Sequence, residues 1–63
     1  MSLTCRQTQV LTLIAHGLSN QDIARHLCRS YWTIGGHIKS IYRRLDIHTR
    51  AEATLHAQRM GLI

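Results

Sequence analysis

With 63 residues, eight Lys and Arg against three Asp and Glu, and a formal charge of +5 with His neutral, the chain is expected to form one small basic domain over residues 1–63. A chain this short buries only about 60% of its unfolded surface, so its core is small and an enzyme with a deep pocket is not expected. With no Pro and no Phe, and with Ala, Leu, Ile, Gln and Arg well represented, the natural architecture is helical.

The predicted elements start with one repeated device. Thr4 is followed three residues on by Gln7, Ser19 by Asp22, and Thr49 by Glu52. The first and third read as capping boxes, in which each side chain satisfies a free N–H of the other, and the second is a looser form. Ser30 supplies a fourth N-cap without a reciprocal acid. Helix one is expected over about 5–16, with Gln7, Val10, Leu11 and Ile14 on one face and Gly17 ending it in a left-handed turn. Helix two is expected over about 20–27, with Ile23, Ala24 and Leu27 inward, followed by a tight turn at Cys28-Arg29-Ser30.

Helix three, about 31–45, organises the rest. With Ile34 as the reference, Ile38, Ile41 and Leu45 fall within about 40° of it on a helical wheel. The opposite side carries Trp32, Gly36, Lys39 and Arg43. One side suits a core; the other is basic, aromatic and stripped of bulk at its middle. Helix four is expected over about 50–60, stopped by Gly61, with Ile47 in the preceding link capping the core. It has two apolar lines: Ala53, Ala57 and Met60 on one side, and Ala51, Leu55 and Leu62, with Gln58 among them, on the other. A helix packed on its own domain needs one line. The second suggests a partner helix, most simply a twofold copy, although scattered surface apolars are the plainer reading.

A short helix, a three-residue turn and a longer helix with a basic outer face form a helix-turn-helix pattern, so the fold class expected is all-α, a compact four-helix domain with that motif at its centre. The five basic residues Arg25, Arg29, Lys39, Arg43 and Arg44 lie in a stretch without an acid, which suits a polyanionic partner and, on charge alone, equally a solvated charged face. Cys5 and Cys28 match no zinc or redox spacing and are expected as reduced thiols in a cytoplasmic protein. His16, His26, His48 and His56 form no ligand spacing and are read as surface residues. No apolar run approaches the roughly 20 residues of a membrane span. No nucleophile–base pair, phosphate loop or paired carboxylates are present. No enzyme activity, cofactor or metal is therefore expected.

The ordered series LTLIAHGLSNQDIARHL (Leu11–Leu27), Ser30, TIGGHIKSIYRRL (Thr33–Leu45) and TRAEA (Thr49–Ala53) resembles the LuxR-type, or GerE-like, DNA-binding domain of bacterial transcription regulators. The resemblance covers Leu3 to Ile63. It implies a regulator domain that binds double-stranded DNA, as a homodimer through the last helix. Such domains usually follow a receiver or signal-binding domain, which is not expected within these 63 residues. RNA polymerase is a further possible partner. Three departures stand out. Gln7 and Gln9 replace acids usual in the family, so that an ion pair from helix one, to Arg44 or Arg50, would become a neutral hydrogen bond. Gly35-Gly36 stand where base-reading side chains are common. Tyr31-Trp32 stand where small or polar residues are usual.

The groove set expected is Lys39, Gly35, Gly36, Arg43, Trp32 and Ser40. Lys39 can reach guanine O6 and N7, or else meets phosphate or solvent. Arg43, a turn further on, suits phosphate. The glycines either break the helix or bring its backbone close to the bases. Trp32 either lies over sugar or a thymine methyl group, or packs against helix two; Tyr42 suits core packing. By the resemblance, Asn20, Arg25, Tyr31, Thr33 and His37 are phosphate donors, joined by Gln21 at the N-terminus of helix two. Ala51, Leu55, Gln58 and Leu62 are the dimer candidates. Two rivals remain: a sigma-factor-like promoter-recognition region, and a helical protein-interaction module whose basic face meets an acidic partner.

Overall fold

The structure, a computed structural model, describes residues 3–63; residues 1 and 2, where the expected domain begins, lie outside the described residues. Four helices follow along the chain with no strand among the described residues: α1 (Cys5–Ala15), α2 (Asn20–Leu27), α3 (Tyr31–Leu45) and α4 (Arg50–Arg59). The helix-turn-helix is formed by α2 and α3.

All four starts are set by the expected hydroxyls. Thr4, Ser19, Ser30 and Thr49 hold extended backbone, and each side-chain oxygen accepts from the N–H three residues on, satisfying one donor that a helix leaves free. At α1 the box is complete: the Thr4 N–H donates to Gln7 Oε1 at 2.9 Å and the Gln7 N–H to Thr4 Oγ1 at 3.1 Å. At α4 it is not. Glu52 Oε1 accepts from the His48 N–H at 3.1 Å and from the Thr49 hydroxyl at 3.2 Å, so the carboxylate ties down the residue before the cap.

The four ends share one geometry. In each, a residue in the left-handed region is followed by one whose N–H bonds five residues back: Leu18 to Leu13, Arg29 to Ala24, Ile47 to Tyr42 and Leu62 to Ala57, at 2.9–3.2 Å. Such a turn takes up carbonyls that the helix leaves unpaired. Gly17 (φ 91°) and Gly61 (φ 76°) hold the left-handed position after α1 and α4; Cys28 (φ 55°) and Asp46 (φ 54°) hold it after α2 and α3. The outer two helices end one residue sooner than expected, with His16 and Met60 as their C-caps.

The core is the meeting of the apolar faces. Val10, Leu11, Ile23, Ile34 and Ile41 are fully buried, together with Ala53 and Ala57. Each large aliphatic stabilises the fold by about 1.5–3 kcal/mol. The helix α1 packs against α4 and α3, and α2 packs mainly on α3. Small Ala53 and Ala57 present little side chain on the inner face of α4. Ile47 closes the core as expected, and Leu27 and Leu45 are half-buried at its edge.

Two expectations about the C-terminus need correction. Met60 is 46% exposed, not inward. The left-handed turn at Gly61 reverses the chain, and Leu62 folds back, half-buried, against the core. Leu62 therefore belongs to the domain's own packing rather than to an outward dimer line.

Candidate nucleic-acid interface

The burial of Ile34, Ile38 and Ile41 decides which way the rest of α3 faces. Trp32, Thr33, Gly36, Lys39 and Arg43 are exposed, with Gly35, His37 and Ser40 half-buried beside them. Trp32 is 84% exposed, which removes the alternative that it packs against α2. Its indole meets the edge of Tyr31 instead, ring centres 6.0 Å apart and planes at 85°, a T-shaped pair favoured by the ring quadrupoles. The helix runs unbroken through Gly35 and Gly36, so the break is also removed. A Cβ built at either glycine would meet nothing within 4 Å. The middle of the outer face is thus bare backbone, with an aromatic ring on one side and two cations on the other.

Lys39 and Arg43 share a shallow groove with Tyr42, Asp46, Ile47 and His48. A second, more polar groove is lined by the turn from Gly17 to Ser19, by Asn20, Gln21 and Tyr31, and by Arg50. It brings three of the expected phosphate donors together. Arg50 is a member that sequence reasoning missed as a site residue. Its guanidinium donates to Asn20 Oδ1 at 3.1 Å and to the Leu18 carbonyl, while the Gln7 Oε1 accepts from the Thr4 N–H in its own capping box. A tie across 30 residues leaves no local pattern in the sequence that could have announced it.

The remaining candidates sit nearby. Arg25 is exposed on α2, and Arg29 on the turn. The Thr33 hydroxyl is already hydrogen-bonded to that of Ser30 at 2.8 Å, which fixes its rotamer next to the free end of α3. On α4, Ala51, Leu55 and Gln58 are exposed, as a partner-facing line needs, whereas Leu62 is not part of it. His16, His26 and His48 lie on the surface, but His56 is half-buried.

The electrostatics are simple. The hydrogen bond from the His48 N–H, with those from Thr49, holds the Glu52 carboxyl below the usual glutamate range despite an opposing effect of burial. Both cysteines are free and exposed. Among the described residues no group of three or more His, Cys, Asp or Glu is placed to hold a metal ion, and no helix is long and apolar enough to cross a membrane.

Known proteins share this fold. The family model for bacterial regulatory proteins of the luxR family matches residues 1–57. YhjB of Escherichia coli (strain K12), provisionally named an HTH-type transcriptional regulator, is 43% identical over 54 residues, which is 86% of this chain and 27% of YhjB. Among solved structures, the crystal structure of the response regulator ChrA of a heme-sensing two-component system superposes with a TM-score of 0.89 at 32% identity, over 100% of this chain and 31% of ChrA. The chain thus spans less than a third of the length of either protein.

Proposed function

The chain belongs to the luxR family of bacterial regulatory proteins, as a helix-turn-helix DNA-binding domain of a transcription regulator, and from that premise we propose that it binds duplex DNA sequence-specifically, with α3 in the major groove. The observation that carries this reading is the outer face of α3, where Trp32, Gly36, Lys39 and Arg43 stand exposed on the back of a buried Ile stripe. In this reading Lys39 donates to guanine, and Arg43 and Ser40 border the groove. The glycines let the backbone approach the bases. Asn20, Gln21, Arg25, Tyr31, Thr33 and His37 anchor the flanking phosphates. Such contacts set register, while base edges set sequence. The work is binding without catalysis, on chromosomal DNA in the cytoplasm.

We further infer a homodimer through the outer line of α4, now Ala51, Leu55 and Gln58, spanning two half-sites about 10 bp apart. Leu55 at 44% exposure supports it. In a longer regulator, RNA polymerase would be a further partner.

Selection of bound duplexes from a random library tests this reading. A recurring motif with twofold symmetry is expected. Lys39→Ala should weaken the selected site by about 1–3 kcal/mol and relax one base position; Arg25→Ala should weaken all sequences alike and reduce the salt slope by about 0.9. Leu55→Lys should leave a monomer by sedimentation. Recovery of no motif, with affinity insensitive to salt, would point instead to a protein partner for the basic face.

A further inference from the structure

Trp32 is the chain's sole tryptophan, it is the second residue of α3, and it is 84% exposed. An aromatic ring left in water forgoes the free energy of burial, and its placement says what would bury it. Side chains on a helix lean toward the N-terminus, so the indole projects ahead of α3, at the end of a recognition helix that meets base edges. The outer face that follows it on α3 is open, because a Cβ at Gly35 or Gly36 would meet nothing within 4 Å. Tyr31 makes a T-shaped contact with one side of the ring. Its other surroundings on this face are basic and suit nucleic acid: Arg29 precedes it on the turn, and Lys39 and Arg43 follow it along the helix.

Indole has one N–H donor and no acceptor, so it is a poor reader of the polar edges of bases. The apolar feature of the major groove is the methyl group on C5 of thymine. We propose that Trp32 recognises the C5-methyl group of a pyrimidine at one position of each half-site. The proposal rests on duplex binding through α3. It makes the chain a sensor of thymine, and of 5-methylcytosine over cytosine, because methylation places the same group at the same carbon. Burying one methyl group corresponds to an effect of about fourfold per half-site.

The test uses the selected duplex, with deoxyuridine replacing each thymine in turn and, separately, with cytosine or 5-methylcytosine at the position so found. Affinity is measured for the chain and for Trp32→Ala, whose thermal unfolding should match the parent because the ring is exposed. The expected result is a loss of about fourfold at one thymine per half-site, a comparable preference for 5-methylcytosine over cytosine there, and neither effect in Trp32→Ala. Specific binding that is indifferent to every deoxyuridine overturns the proposal and leaves the functional reading intact, since the ring then packs on sugar or phosphate. Equal sensitivity in Trp32→Ala also overturns it, because another group reads the methyl. Absence of any duplex binding overturns both together.

Discussion

Arg50, the first residue of α4, donates to the Oδ1 of Asn20, the first residue of α2, at 3.1 Å. The consequence is directional. With its carbonyl oxygen held by a guanidinium, the Asn20 amide keeps its NH2 group, the half that can donate to a phosphate oxygen, free for that role. The same guanidinium also holds the Leu18 carbonyl in the turn before α2. Arg50→Ala should therefore weaken binding to selected and scrambled duplexes by the same factor, while costing no more than about 1 kcal/mol of stability, as exposed polar ties do. Titrations on both duplexes together with urea unfolding check this; a loss confined to the selected sequence would refute it.

The left-handed turns after α2 and α3 give a stability prediction. Cys28 sits at φ 55° and Asp46 at φ 54°. A residue with a Cβ is disfavoured there by about 1–2 kcal/mol, less for Asp, whose short polar side chain tolerates the region. Glycine removes that strain but has more unfolded freedom to lose. Cys28→Gly should thus stabilise the domain by about 0.5–1 kcal/mol, and Asp46→Gly by less. Denaturant midpoints for the two variants give the order directly, and a destabilised Cys28→Gly would mean that the thiol makes a contribution that its exposure does not suggest.

Why some of this was legible beforehand follows from range. The N-caps Thr4, Ser19, Ser30 and Thr49 act on N–H groups three residues away, and the stripe Ile34–Ile38–Ile41 repeats at the helical period, so both are written locally. The left-handed turn at Gly17 was legible because glycine marks it. The same turn at Cys28 and Asp46 was not, because the glycine that favours the conformation is missing at both. Met60 and Leu62 exchange their expected places for a related reason. Which of them faces inward depends on how Gly61 redirects the chain, not on helical phase. For the candidate site, residue identities could be named from the sequence. The exposure of Trp32 and the Arg50–Asn20 tie depend on how α2, α3 and α4 lie against one another.

Glu52 supplies the acid-sensitive element. Its carboxyl is held below the ordinary value of 4.5, chiefly by the His48 N–H. A group whose folded pKa is depressed stabilises the fold above its unfolded pKa, and that contribution is lost as pH falls through the folded value. The start of α4 should therefore weaken as pH drops from the ordinary glutamate range downward. Glu52→Gln, which cannot ionise, should be less stable than the parent at neutral pH and approach it in acid. Thermal midpoints of both chains from neutral pH to about pH 3 test this; because the two chains differ at position 52 alone, the difference isolates Glu52. A gap that does not narrow in acid would show that the carboxylate charge is not what stabilises this cap.

Gly36 sets stability against binding in a single substitution. Glycine inside a helix costs about 1 kcal/mol relative to alanine, and an added Cβ would meet nothing within 4 Å, so Gly36→Ala should raise the unfolding free energy by about that amount. If the bare backbone of α3 lies close against base edges, the same methyl group falls in the DNA interface and affinity drops even as the fold gains. Gly61, with φ 76°, offers the contrast: alanine there is strained and should destabilise without touching the outer face of α3. Measuring unfolding and duplex affinity for both variants separates the two effects. A Gly36→Ala chain that is more stable and binds as well as the parent would mean that the glycine pair leaves a gap the DNA does not enter, and that readout falls to the side chains flanking it.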